Sequence, residues 1–374
     1  MTATDAIKPK NTEKFKVLSS GYFDEASSDV KEFLDVISDT LPSSAVPHAA
    51  SVVHQIPLYD MPSLQTNLSD SKARQTLMAE WADVLLNRSG VLVLKQAITD
   101  HNTLDEAKAV FENLIAQEKA DSGAKADHFA AAGSNDRLWN SVQKLAADNP
   151  ELYARYFAQP SIDAICESWL GPCYQMTAQI NVVHPGGAAQ DPHRDYHLGF
   201  QSKQQRGHFP SHVHALSPVL TLQGAIAHVD MPLNSGPTQL LPFSQRFAAG
   251  YMAYGRADFR DCFAKHFVQL PLDKGDALFL RAMETIDRAS MCEWIYPVLL
   301  EKQQNNALSD AEMHAVIAAT AEGYSFPTNL DTDPPVGGLA PETQQQLIVR
   351  CLADGTSLED FRAQMAVLMN KQKA

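Results

Sequence analysis

The stretch from Ala178 to Leu280 constrains the fold most, because short β-prone runs alternate there with turn signals. Ala178 to Val183 (Ala-Gln-Ile-Asn-Val-Val) alternates polar and apolar residues and is rich in β-branched side chains, which predicts a strand. His184-Pro185-Gly186-Gly187 breaks it with a turn. Val219 to Val229, His266 to Leu272 and Ala277 to Leu280 read as further runs. Leu233-Asn234-Ser235-Gly236-Pro237-Thr238 and Lys274-Gly275-Asp276 supply turns between them. Several short strands joined in this way imply a closed or jelly-roll β architecture, a mainly β core with α elements around it.

Helical patterns flank that core. Leu77, Trp81, Val84 and Leu85 recur at helical spacing within Ser71 to Leu86, and Val91 to Leu94 follows as a buried strand. Ser28 to Leu41, Leu104 to Gln117 and Asp136 to Ala147 lean to helix, and Pro150 to Leu170 holds two more, broken near Pro160. Beyond Leu280 helices are expected over Arg281 to Leu300, Ser309 to Ala321, Pro341 to Leu352 and Ser357 to Lys371, with Tyr324 to Gly338 as a Pro/Gly-rich connector. The expected organisation is a polar N-terminal extension over 1–51, a β domain with backing helices over 52–280 and a helical region over 281–374.

Chemistry concentrates in Gln190-Asp191-Pro192-His193-Arg194-Asp195. An imidazole and a carboxylate two positions apart on an extended chain point to the same side, so His193 and Asp195 can grip one metal ion from one face. They make up two thirds of the 2-His-1-carboxylate facial triad that leaves positions open on Fe(II). Arg194 lies between the two, and strand alternation points it away, toward a salt bridge of its own. Gln201 to Ser217 is polar, carries Gly207 and Pro210, and reads as a mobile lid or a surface loop.

With these motifs the chain resembles the phytanoyl-CoA dioxygenase family of Fe(II)/2-oxoglutarate oxygenases, in particular its fungal and bacterial secondary-metabolism branch. Gln190 to Asp195 matches that branch's Gln-x-x-His-x-Asp, Asn234 to Gln245 resembles its Asn-Gly-Pro hairpin, and Lys274 to Phe279 resembles its Gly-Asp strand. The likeness runs from about Val91 to Leu280. It implies a double-stranded β-helix (jelly-roll, cupin-like) flanked by N- and C-terminal helices. It implies His193 and Asp195 as metal ligands, Gln190 as a cofactor-binding residue, and Fe(II) with 2-oxoglutarate as co-substrate in the oxidation of a small organic substrate. No further catalytic residue is assigned.

One departure bears on activity. After the Gly-Asp strand the family places a distal metal His and then an Arg that pairs with the far carboxylate of 2-oxoglutarate. Here Leu280 runs straight into Arg281-Ala282-Met283-Glu284, and the next His is His314. The chain reads as if a strand pair had been excised between Leu280 and Arg281. His228 and His266 are the first alternatives for the third ligand, then His197, His208, His212 and His214. Arg281 and Arg288 are the alternatives for the clamp. The bland reading places His208, His212 and His214 in a polar loop and His228 at a satisfied core position. Two rival functions follow: a catalytically inactive relative that acts as a binding protein, and a cupin-like metalloenzyme that does not use 2-oxoglutarate.

The formal net charge of −14 argues against nucleic-acid partners and anionic membranes, which need basic surfaces. Cys166, Cys173, Cys262, Cys292 and Cys351 show no Cys-x-x-Cys spacing and read as reduced thiols. There is no apolar leader after Met1 and no apolar run near the ~20 residues that span a bilayer, so a cytoplasmic protein is expected, with a homo-oligomer left open.

Overall fold

The computed structural model describes residues 21–25, 28–122, 135–184, 192–194, 197–280, 287–323 and 342–373. Its strands are β1 (Ser51–Val53), β2 (Ile56–Asp60), β3 (Leu92–Lys95), β4 (Asn135–Leu138), β5 (Ile180–Val183), β6 (Gln223–Ile226) and β7 (Ala277–Leu280). Five of them form one mixed sheet in the order β1-β2-β3-β7-β6, and β4 pairs with β5 separately. β2 and β3 run parallel while the other pairs are antiparallel. β3 sits at the centre, and Leu92, Val93 and Leu94 are all buried, as expected of a strand covered on both faces.

The helix Ser71–Asn87 covers one face. Asp70 caps it by accepting from the Ala73 N–H, and Leu77, Trp81, Val84 and Leu85 form its buried stripe. Those side chains join β3, β7 and the helix Pro160–Leu170 in one apolar cluster. A second, larger cluster joins the helices His101–Ser122, Ser141–Asp148 and Pro150–Phe157 to Arg288–Gln304, Asp310–Thr320, Gln344–Ala353 and Leu358–Lys373. Tyr296 and Phe361 stack at its centre with ring centroids 3.9 Å apart.

The helical expectations hold over the described residues except at Asp136 to Leu138, and two expected strand runs fall short, Val219 to Val229 keeping only Gln223–Ile226 as strand. Asp136 to Leu138 belongs to β4 rather than to a helix, because it pairs in register with Asn181 and its neighbours on β5. His266 ends the helix Ala257–His266, so the run expected as a strand from His266 shrinks to isolated bridges, Leu240 with Val268 and Met231 with Leu272. Pro271 lacks the N–H that a continuous ladder there would use. Arg281 to Ile286 and the connector from Tyr324 to Gly338 lie outside the described residues. Helix, not strand, makes up most of the structure, which corrects the expected mainly β proportion. Among the described residues the strands form this five-stranded mixed sheet and the separate β4–β5 pair.

A buried carboxylate ties three helical layers together. Asp163 is 4% exposed and takes the Arg74 guanidinium at 3.0 Å, the Tyr174 hydroxyl at 2.8 Å and His314 Nδ1 at 3.2 Å. Arg74 also meets Glu167 at 2.5 Å. The hydrogen bond to Asp163 raises the His314 pKa, against the opposing effect of burial and with Glu167 adding to the rise. A folded-state pKa above the ordinary ~6.5 contributes stability that is fully present below that value and is lost as pH rises through the raised one. Because the His314 side chain is 49% exposed, the contribution stays below ~1 kcal/mol. Thermal melts of the wild type and His314→Gln should therefore differ most at pH 6 and draw together as pH rises through the raised pKa. Parallel pH curves for the two proteins would contradict this.

Candidate functional site

β4 and β5 deliver the chain to the His-x-Asp motif. Just after β5, His184 Nε2 lies 2.9 Å from Asp136 Oδ2 on β4. Lys119 holds the other oxygen of Asp136 at 2.5 Å and, with His184, keeps that carboxyl below its ordinary pKa. Of the expected site residues, His193 is described and exposed, whereas Gln190 and Asp195 lie outside the described residues.

Arg194 is where the structure adds most. Its guanidinium does not meet a carboxylate among the described residues, which corrects the expected salt bridge. The group stacks over the Tyr251 ring at 5.0 Å, and Nη2 approaches the Ser244 and Phe247 carbonyl oxygens at 3.4 and 3.5 Å. Gly250 makes the slot, since a Cβ there would fall 2.1 Å from Nη2. Burial lowers the Arg194 pKa, an effect that Tyr251 and Tyr254 partly offset. Gly199 is equally constrained, because a Cβ at that position would fall 1.8 Å from the Arg194 carbonyl oxygen. The Leu198 N–H donates to Ser217 Oγ at 3.3 Å, and that hydroxyl donates to Tyr251 Oη at 2.9 Å.

The expected lid is a packed element. Lys203–Gly207 and Ser211–Leu216 are short helices, the first closed by a capping box between Ser202 and Gln205. Arg206 donates to the Tyr251 carbonyl at 2.6 Å and to that of Gln201 at 2.8 Å. Pro210 is the N-cap of the second helix rather than a loop breaker. His214, expected in a polar loop, is 1% exposed and packs edge-on against Phe23 at 5.1 Å.

Three of the alternative ligands and clamps, His228, His266 and Arg288, have polar contacts away from His193. His228 Nε2 lies 2.8 Å from Tyr156 Oη, its ring packs against Phe111, and burial pushes its pKa down to about 4. That is a satisfied, neutral core histidine at physiological pH. His266 is exposed and its Nδ1 lies 2.7 Å from the Cys262 carbonyl one helical turn back. Arg288 is 7% exposed and donates to the carbonyls of Ala319 and Met176, a helix-end role rather than a carboxylate clamp. Arg281 lies outside the described residues.

The support around Arg194 was not visible in the motif. Gly199 stands in the Tyr196-His197-Leu198-Gly199-Phe200 run beside it, but only the approach of the Arg194 carbonyl explains that glycine. Gly250, Tyr251 and Ser217 carry no sequence signal that links them to the site.

Residues 86–283 match the family model described as phytanoyl-CoA dioxygenase (PhyH), more than half of the 374-residue chain. The matched stretch takes in β3, the His-x-Asp motif, the Arg194 slot and β7. No curated protein matches the chain.

A divalent first-row metal suits the motif's donor chemistry, an imidazole and a carboxylate. His193 is exposed, whereas a metal donor is expected to face an interior spot shared with Asp195. The guanidinium that stands between the two donors in sequence is enclosed against carbonyl oxygens and an aromatic face. Among the described residues no group of three His, Cys, Asp or Glu side chains is placed to hold an ion. Nor is any helix among them long and apolar enough to cross a membrane.

Proposed function

The chain belongs to the phytanoyl-CoA dioxygenase family, and on that basis we propose that it is an Fe(II)/2-oxoglutarate-type oxygenase acting on a small organic molecule. The observation that carries the reading is the His193-Arg194-Asp195 motif inside the matched stretch. His193 and Asp195 would hold the metal, and Gln190 would orient 2-oxoglutarate. The family's jelly-roll core belongs to the same reading, with β1-β2-β3-β7-β6 as one wall of it.

Bound iron would activate O₂, the oxidant, with 2-oxoglutarate as a two-electron reductant that leaves as succinate and CO₂. The chain's own residues prepare the site. Asp195 would contribute a charge-neutralising carboxylate donor. His193 contributes a neutral imidazole donor. Arg194 keeps its charge in a separate slot. The helices Lys203–Gly207 and Ser211–Leu216 pack against the Tyr251 region that holds the Arg194 guanidinium.

A second reading, a family member that binds ligand without turnover, draws on a specific observation. His228 and His266 each have one ring nitrogen engaged, by Tyr156 and by the Cys262 carbonyl, and Arg288 donates to backbone carbonyls. Titration with Fe(II) and 2-oxoglutarate, with succinate release as the readout, separates the two. His193→Ala and Asp195→Ala should each weaken metal binding by more than the ~10–100-fold that loss of a supporting outer-shell partner costs. Unchanged metal affinity in both variants would remove the proposed site. Metal binding with no succinate release would favour the second reading.

A further inference from the structure

We propose that the cleft between the helix Val30–Ile37, the β1–β2 turn and the end of the helix Ala257–His266 binds a small organic amine with an apolar body. None of its lining residues belongs to the His-x-Asp motif or to the Arg194 slot, and the site stands apart from the metal reading above.

The cleft has a volume of about 500 Å³, within the range of small-molecule sites. Leu34, Ile37, Leu241 and Val268 supply its apolar lining. Its polar lining is weighted toward hydrogen-bond acceptors. The Ser38 hydroxyl donates to the Asp35 carbonyl at 2.9 Å, so its oxygen has only lone pairs left to offer. His266 Nδ1 lies 2.7 Å from the Cys262 carbonyl oxygen, which can only accept. Nδ1 therefore carries the proton, and Nε2 of the neutral ring is an acceptor. The Asp35 carboxylate is exposed and pairs with no cation among the described residues. Three acceptors, one of them charged, call for a ligand that donates, and a primary ammonium group carries three N–H bonds. The formal net charge of −14 draws cations toward the protein at longer range.

The wall opposite the helix is held in an unusual conformation. His54 and Gln55 form the two-residue turn that joins Val53 to Ile56, with φ at +50° and +67°. Such a turn favours Asn-Gly, because both positions are left-handed. Gln55 Oε1 accepts the Leu41 N–H at 2.7 Å, which ties the turn to the chain beyond the helix, and its NH₂ remains a donor at the cleft. A histidine kept where glycine would be unstrained marks a task for its side chain, and here that side chain lines the cleft.

Calorimetric titration of the wild type, Asp35→Asn and His54→Gly tests this with three probes of similar shape: 2-phenylethylamine, 2-phenylethanol and phenylacetate. The wild type should bind the amine at least ~10-fold more tightly than the alcohol or the acid, the margin of one hydrogen bond to a charged group. Asp35→Asn should remove that preference. Asp35 is exposed, so its replacement leaves the core intact. His54→Gly should weaken amine binding while its melting temperature holds or rises, because glycine accepts the turn's φ without strain. Absence of amine binding to the wild type at ~1 mM overturns the site. Equal binding of the three probes overturns the amine assignment. Wild-type amine affinity in both variants places the amine outside the cleft and overturns the proposal as well.

Discussion

Replacing Asp276 by Ala should destabilise the protein by about 3 kcal/mol or more, because two backbone N–H groups lose a buried charged acceptor and a hydrogen bond to a charged group contributes about 1.5–3 kcal/mol. The Asp276 side chain is 0% exposed and accepts three separate donors. Oδ1 takes the Gln96 N–H at 2.9 Å, Oδ2 takes the Asp273 N–H at 2.8 Å, and Oδ2 also pairs with Lys95 Nζ. Burial alone would lower the Lys95 pKa, but hydrogen bonds to Asp273 and Asp276 hold it above the ordinary lysine value. The carboxylate thus joins the end of β3 to the start of β7, the central pairing of the sheet. Gly275 completes the junction: its φ is +91°, and a Cβ there would fall 2.2 Å from the Ile98 carbonyl oxygen. Denaturant unfolding measures the loss. Lys95→Met/Asp276→Ala should recover little of it, because Lys95 keeps Asp273 as a partner and the Gln96 and Asp273 N–H groups still lack their acceptor. A loss below ~1 kcal/mol in Asp276→Ala would mean that the backbone pairing carries the junction without the carboxylate.

That junction shows what a sequence can and cannot disclose. Lys274-Gly275-Asp276 is legible as a turn into a strand, and β7 begins directly after it, at Ala277. The partners of Asp276 are not legible, because Lys95 and Gln96 lie about 180 residues earlier and meet it only once the sheet has formed. Local periodicity served the helices in the same way. Leu77, Trp81, Val84 and Leu85 mark the face that Ser71–Asn87 buries, and Pro160 marks the break before Pro160–Leu170. Where tertiary pairing decides, local patterns mislead. Asn135–Leu138 has no β-branched residue, yet it becomes a strand because β5 lies alongside it. The run from Gln201 to Ser217 looked like a loop from its polarity and Pro210, but Arg206 and His214 bind it to the Tyr251 region. The site follows the same division: His193 is readable from its motif, whereas the slot that holds Arg194 draws on Gly250 and Tyr251, more than 50 residues away.

Turnover should rise sharply when a strand segment bearing His and Arg is inserted between Leu280 and Arg281. The proposed donor pair, His193 and Asp195, leaves the ion short of the third protein ligand of a facial triad. The missing Arg would contribute a bidentate, charge-assisted grip on the far carboxylate of 2-oxoglutarate. Hydrogen bonds to charged groups contribute about 1.5–3 kcal/mol, so the KM for 2-oxoglutarate should fall by ~10–100-fold from that residue alone. The insertion point suits the fold, because β7 ends at Leu280 and the next described helix starts at Arg288. An inserted segment with the same Arg but Ala for His separates the clamp from the metal ligand. It should lower the KM for 2-oxoglutarate without restoring kcat. Succinate release measured against 2-oxoglutarate concentration gives both parameters. Rapid turnover by the unmodified chain would mean that its own residues complete the site. His228→Ala and His266→Ala would then be the first variants to compare, and whichever abolishes metal binding would identify the third ligand.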